Sequence, residues 1–191
     1  SGEPFTHNQP LKSGKGSVYE GGIRVPMLVK WPGIVKPGTV TDQYLIVEDF
    51  FPTILKMAGI KTYKTVQQVD GKSFVPFLKN AKQVDTSRIL IWHYPNKWIP
   101  QAGPGINYKS AIRQGSWKLI HDMRTAKNEL YNLKDDIGET NDLSNVLPQK
   151  TKEMASILTR ELKRNNALMP FFRESGKQVP WPDEVDKISS K

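Results

Sequence analysis

The sequence predicts an α+β chain in which a small antiparallel sheet packs on a long C-terminal helix. Residues 117–122 alternate between two sets of side chains, as expected for a strand in a sheet with one covered face. The pair Gly115-Ser116 precedes this run and has the composition of a hairpin turn. Farther along, one face of a helical pattern is apolar, through Met154, Ile157, Leu158 and Leu162.

Composition is that of a globular protein. The chain has 191 residues, of which 37% are hydrophobic, and this is enough to bury a core. No apolar run is long enough to span a bilayer, and the first residues lack the basic and apolar regions of a signal peptide. The absence of cysteine excludes disulfides, thiolate metal ligands and cysteine nucleophiles from this chain. The net charge of +9 is scattered, so it agrees with an anionic ligand without indicating nucleic acid.

The first sixty residues contain a glycine-rich stretch, a strand and a helix. Met27–Trp31 is a continuous apolar run closed by Pro32-Gly33, which predicts a short buried strand. Apolar residues then recur at helical spacing from Phe50 to Ala58, and Gly59 is placed to end that helix.

The remaining elements follow in order. Residues 61–106 form a loop-rich connection with a short helix predicted at Ser73–Leu78, a strand at Arg88–Tyr94 and an irregular stretch at Pro95–Gly105. In residues 107–170 we expect a meander and then a helix, with these bounds: Tyr108–Gln114, Trp117–Met123, Glu129–Leu133 and Pro148 to about Asn166. A polar tail occupies residues 171–191.

One motif contains a residue suited to binding an oxyanion. Lys15 lies between Gly14 and Gly16, and the pair Gly21-Gly22 follows shortly afterwards. Glycines permit close approach of a ligand, and a lysine on such a loop supplies a point charge with three donors for an oxyanion. On residue types alone an ordinary glycine-rich surface loop is favoured, and the Walker phosphate-binding pattern is absent.

The segment from Gly14 to Pro26, GKGSVYEGGIRVP, resembles the sulfatase family, the arylsulfatase-like members of the alkaline-phosphatase-like fold. Further resemblances follow in the family's order across residues 11–166: WPGIVKPGTV, VEDFFPTILKMAGI, DGKSFVPFL, RILIWHYPNKW, SAIRQGSWKLIH and NELYNLKDDIGETNDLS. The resemblance implies an α/β fold overall, with residues 1–60 as the end of the catalytic domain and residues 107–170 as the C-terminal subdomain.

The resemblance also implies a reaction, the hydrolysis of sulfate esters. In the family a formylglycine made from a C/S-x-P-x-R motif is the nucleophile, and a calcium ion held by Asp and Asn or Gln residues binds the sulfate. Lys15 matches the family's sulfate-contacting lysine. This sequence contains no C/S-x-P-x-R string, and the family's metal-binding Asp-Asn pair falls before the lysine loop. We therefore expect a C-terminal portion that is inactive alone, with no metal site of its own, and with Ca²⁺ and formylglycine in the full-length enzyme.

Further residues are assigned by their positions in the resemblance. His93 and Trp98 are candidates for substrate binding, although capping a strand is as good an interpretation of His93 and packing is the favoured one for Trp98. The loop is expected to be shaped by Gly14, Gly16, Tyr19, Glu20, Gly21, Gly22 and Arg24. His7 and His121 are interpreted as structural or surface residues.

Two other classes of function remain open from the sequence. One is a phosphatase or phosphotransferase of the same superfold, and the other is a non-enzymatic module that binds polyanions. For the leading interpretation we expect a sulfated small molecule or glycan as partner of the full-length protein, no nucleic acid, no membrane span and an exported location. The predicted strand at Met27–Trp31 belongs, in the family, to a larger sheet, so we also expect this chain to self-associate or its N-terminal region to be disordered.

Overall fold

The computed structural model describes residues 7–99 and 103–187. They form two compact units. One contains the described residues up to Val25 together with those from Ser87 onward, and the other is Pro26–Thr86. The sequence also predicted boundaries at residues 60, 106 and 170, between regions of the whole protein's domains. These boundaries stay a prediction.

A four-stranded antiparallel sheet forms the centre of the first unit. Its strands are β1 (Ile89–Tyr94), β2 (Lys109–Gln114), β3 (Trp117–Asp122) and β4 (Lys127–Asn132), in the spatial order of the sequence. In the register, Ile112 lies opposite Leu119, which in turn lies opposite Leu130. The predicted meander is confirmed, and β1 adds a fourth strand to it by pairing with β2.

The helices are α1 (Glu20–Ile23), α2 (Phe50–Met57), α3 (Val75–Lys79) and α4 (Pro148–Arg164), with short 3₁₀ segments at Val47–Asp49 and Pro182–Lys187. The apolar stripe of α4 covers one face of the sheet, as predicted, and the two elements share a buried core: Ile112, Leu119, Leu130, Met154, Ala155, Leu158 and Leu162. Such continuous burial is the main stabilising contribution to a sheet–helix layer.

The sheet is covered on both faces, whereas the alternation in β3 predicted one covered face. On the side away from α4, Val18 and Tyr19 pack on Ala111, Ile120 and Tyr131. The glycine-rich segment around Lys15 thus lies against the second face of the sheet. The sequence pattern missed this because the covering segment is an irregular loop, which has no periodicity to indicate a buried side.

The second unit is built on α2 and α3. The Phe50 and Phe74 rings meet edge to face with centroids 5.4 Å apart, and the Phe74 N–H donates to Thr53 Oγ1 at 2.9 Å. The buried carboxylate of Asp49 accepts hydrogen bonds from the backbone N–H groups of Ile46, at 3.0 Å, and Lys72, at 2.8 Å. These contacts pin the start of α2 to the chain that precedes α3.

The predicted strand at Met27–Trp31 is wrong for the structure: this segment is extended coil, and the side chain of Leu28 is 98% exposed. A strand needs a hydrogen-bonded neighbour. The four strands of the described residues all belong to the other unit, so the run has none. In the described part of the tail, Val179 is buried against Met123 and Met169. None of the helices in the described ranges has the length and apolar character that crossing a membrane requires.

Candidate functional site

The lysine loop, residues 12–19, forms a tight turn on the sheet face opposite α4. The backbone N–H of Ser17 donates to the carbonyl of Gly14 at 3.0 Å, and this closes the turn around Lys15 and Gly16. Lys15 is exposed at its tip. Across residues 7–99 and 103–187, no acceptor or carboxylate pairs with its ammonium group, so its three N–H donors face solvent.

Glycine is required at three positions, Gly16 in this loop and Gly21 and Gly22 in α1. Gly16 has φ +86°, and a Cβ there would lie 1.9 Å from Cζ3 of Trp98. A Cβ on Gly21 would lie 2.4 Å from the carbonyl oxygens of Lys12 and Ser13. On Gly22 it would lie 2.2 Å from the carbonyl oxygen of Ser17. The loop and α1 are therefore in direct backbone contact.

Gly14 differs from the other glycines. A Cβ at this position would meet only Asn8 Nδ2, at the ordinary contact distance of 3.9 Å. The expected loop-shaping role of Gly14 therefore finds no steric support, although its carbonyl closes the turn.

Trp98 is brought onto the lysine loop by the stretch that follows β1. Its indole packs on Gly16, yet its side chain remains 55% exposed. The backbone N–H of Trp98 donates to Asn107 Oδ1 at 2.7 Å, and the carbonyl of Gly105 accepts the backbone N–H of Val18 at 3.0 Å. The structure thus places an exposed aromatic ring beside the exposed lysine.

Tyr19 anchors the loop to the sheet. Its hydroxyl donates to Glu129 Oε2 at 2.5 Å, and the Tyr131 hydroxyl donates to the same oxygen at 2.8 Å. Burial, and then the neighbouring Glu129 carboxylate, raise the pKa of both phenols. Both hydroxyls therefore stay protonated donors. The ammonium of Lys12 lies 4.1 Å from the centroid of the Tyr19 ring, a cation–π contact.

Glu20 anchors α1 through a buried ionic cluster. Its Oε1 accepts from Lys118 Nζ at 2.9 Å, and Arg113 Nη1 lies 3.5 Å from Oε2. The half-exposed Arg24 lies 3.7 Å from the same Oε2. Lys118 also pairs with Glu139 at 2.8 Å. Sequence reasoning missed Lys118, Arg113 and Glu139. The available signal was that Lys118 shares its strand face with the apolar Ile120.

The structure does not bring His93 to the lysine loop. Its Nδ1 lies 2.8 Å from Ser110 Oγ, and its Nε2 lies 2.9 Å from the carbonyl oxygen of Leu168. Burial lowers the pKa of His93, which favours the neutral ring. The Leu168 carbonyl then accepts from Nε2–H, and Nδ1 accepts from the serine hydroxyl. Both nitrogens are occupied, and this arrangement supports the strand-capping interpretation.

The residues that the structure describes do not bring together the ligands of a divalent cation. No group of three or more His, Cys, Asp or Glu side chains comes together anywhere in the described part of the chain. The buried carboxylates of Glu20 and Glu139 face Lys118 instead. The donor set required by Ca²⁺, six to eight oxygens, does not match this cluster.

Known proteins resemble this chain in sequence and in architecture. A family model described as N-sulphoglucosamine sulphohydrolase, C-terminal, matches residues 14–167. A sulfatase of Formosa agariphila is 37% identical over 196 residues, which cover 95% of this chain and 35% of that protein. The crystal structure of Ps i-CgsB has a TM-score of 0.66 at 26% identity, over 96% of this chain and 36% of the other.

A further solved structure contains a ligand. BT4656 in complex with its substrate D-glucosamine-2-N,6-O-disulfate has a TM-score of 0.57 at 25% identity, over 72% of this chain and 28% of that chain. The present chain thus spans about a third of the length of the relatives it matches. The predicted fold class, the C-terminal part of an alkaline-phosphatase-like fold, is confirmed by these neighbours. Because the family model covers most of the chain, the chain belongs to the sulfatases, in the family of the N-sulphoglucosamine sulphohydrolase C-terminal region.

Proposed function

We propose that the whole protein hydrolyses sulfate esters of a sulfated carbohydrate, with Lys15 contacting the sulfate and Trp98 contacting the sugar. The observation that carries this proposal is the exposed ammonium of Lys15, which pairs with no group in the described part of the chain, next to the exposed indole that packs on Gly16. At Gly21 and Gly22 the backbone of α1 lies directly against the same loop. The solved relative bound to a glucosamine disulfate supports a sulfated sugar as the substrate class.

The chemistry of Lys15 is electrostatic. When the S–O bond breaks, negative charge grows on the leaving oxygen of the ester. The backbone that presents the Lys15 ammonium is held against the sheet and α1 before the reaction, so the charge lies where it can stabilise the transition state more than the ground state. Trp98 offers a flat apolar face for the ring of a sugar, and its packing on Gly16 places that face next to the residue that follows Lys15.

Calcium and formylglycine belong, in this proposal, to the part of the whole protein that lies outside this chain. They would supply sulfate binding and the nucleophile. The residues present here would neither hold the ion nor form the nucleophile, so this chain alone is proposed to be inactive. We further propose that the whole protein is exported, in keeping with a polymeric glycan substrate outside the cytoplasm.

The function is tested by substrate choice. The whole protein is assayed with a glucosamine 6-sulfate and with the matching 6-phosphate, and kcat/KM is measured for each. We expect turnover of the sulfate ester and at least about 10²-fold weaker turnover of the phosphate, a difference of roughly 2.7 kcal/mol in transition-state binding. A preference for the phosphate ester would contradict the proposal and favour a phosphatase of the same superfold.

We also propose that the isolated chain self-associates. Large apolar side chains are exposed in the second unit, among them Leu28, Val40 and Phe51. Exposed apolar surface of this kind favours association. Sedimentation velocity of the 191-residue chain should therefore show mass that rises with concentration. A single monomeric species across the accessible concentration range would refute this.

A further inference from the structure

A buried ionic cluster joins the sheet to the helix that follows the lysine loop. Lys118 lies in β3 and is 0% exposed. Its Nζ lies 2.9 Å from Glu20 Oε1 and 2.8 Å from Glu139 Oε1. Glu139 Oε2 in turn accepts the backbone N–H of Glu20 at 2.6 Å. The Lys118 ammonium therefore holds Glu20 by two routes. It pairs directly with the Glu20 side chain, and it pairs with Glu139, which accepts the Glu20 backbone N–H.

Stability alone does not account for such a cluster. Removing charged groups from water costs several kcal/mol per ion, and well-packed apolar residues often replace a buried pair without loss. Buried ionic groups are best attested where they set the register of one element on another. Here the element is α1, a helix of only four residues, which is too short to be stable without tertiary contacts.

The position of α1 determines the position of the lysine loop. Gly21 N–H donates to the Lys12 carbonyl at 3.0 Å. Carbonyl oxygens of the loop also approach so closely that Gly21 and Gly22 have no room for a Cβ. A shift of α1 would therefore push directly on the backbone that flanks Lys15.

We propose that Lys118 is a positioning residue for Lys15, acting through Glu20, Glu139 and α1. This inference rests on the proposed function, in which Lys15 contacts the sulfate. Lys118 touches no substrate in this account. It holds the loop in place, so that the ammonium of Lys15 meets the sulfate without reorganisation.

The test compares two buried lysines of the same sheet in the whole protein. Lys118→Met removes the ion pairs with Glu20 and Glu139, and leaves Arg113 as the other sheet cation near Glu20. Lys109→Met is the matched control, because the buried ammonium of Lys109 pairs with Asp122 and forms no ion pair with Glu20 or Glu139 among the described residues. Amide hydrogen exchange is measured by mass spectrometry, together with kcat and KM for a sulfate ester.

For Lys118→Met we expect faster exchange across residues 14–22, unchanged protection of β2–β4, and a fall in kcat/KM of about 10²-fold, the cost of a misplacement near 1 Å. Lys109→Met should leave exchange across residues 14–22 unchanged. If Lys118→Met fails to fold, a triple variant, Glu20→Gln, Lys118→Met and Glu139→Gln, removes the unpaired charges and should show the same loop release.

Three outcomes would overturn one or the other of these claims. Unchanged exchange across residues 14–22 in the folded variant overturns the positioning role, whatever the activity is. Faster exchange there, combined with full activity of both Lys118→Met and a variant that lacks the Lys15 ammonium, overturns the proposed contact with sulfate instead. Equal loop release in Lys109→Met would also overturn the inference, because it would show a general response of the sheet.

Discussion

Lys15→Ala in the whole protein is expected to lower kcat/KM for a sulfate ester by about 10²-fold or more, the usual cost of losing one preorganised group that stabilises developing charge. Lys15 is exposed and pairs with no group in the described part of the chain, so its removal leaves no buried partner without a charge. The free energy of unfolding should change by no more than about 0.5 kcal/mol. The loss should therefore appear in steady-state kinetics and not in urea denaturation.

The control for this substitution is Lys152→Ala. Lys152 is exposed on α4, which covers the opposite face of the sheet, and its replacement removes the same formal charge. Activity within a few-fold of wild type is expected for the control. A similarly small loss in Lys15→Ala would show that the ammonium makes no contact with the reacting group.

Gly22→Ala is expected to destabilise the loop and the first unit by about 3 kcal/mol, the upper part of the usual range for overpacking. The new Cβ would lie 2.2 Å from the Ser17 carbonyl and 2.6 Å from the Gly14 carbonyl, and both are backbone atoms that cannot rotate away. Activity should fall together with stability, because the same backbone carries Lys15. Urea denaturation and kcat/KM measure the two effects.

Gly14→Ala is the matched control for this substitution, since it adds the same methyl group one residue from Lys15. Its Cβ meets nothing closer than 3.9 Å, so stability should change by less than about 0.5 kcal/mol. Equal losses in the two variants would contradict the close contact of α1 with the loop.

Local periodicity is the part of the fold that the sequence could predict. The strands β2–β4 and the helix α4 begin and end close to their predicted bounds. Their signals, the turn residues and the apolar stripe, come from residues that are close together in the sequence. The short helix α1 was missed. Gly21 and Gly22 are poor helix formers, and α1 exists through long-range contacts of Glu20 that no local pattern contains.

The site was predictable only in part, for a similar reason. Lys15 and its glycines are adjacent in sequence, so their motif was recognisable. The approach of Trp98 depends on a loop held by Asn107, and Lys118 resembles a solvent-facing strand lysine until its partners Glu20 and Glu139 are known. Apolar character alone misled the prediction for Met27–Trp31, since a strand also requires a hydrogen-bonded neighbour.

The central claim is tested most directly by a crystal structure of the whole protein bound to a sulfated glucosamine. The protein for this experiment has its nucleophile replaced, so that the ligand is not cleaved. The account predicts that Lys15 Nζ lies about 2.7–3.2 Å from a sulfate oxygen and that a sugar ring rests on the exposed face of Trp98. A sulfate group bound beyond hydrogen-bond distance of Lys15, with its sugar away from Trp98, would contradict it.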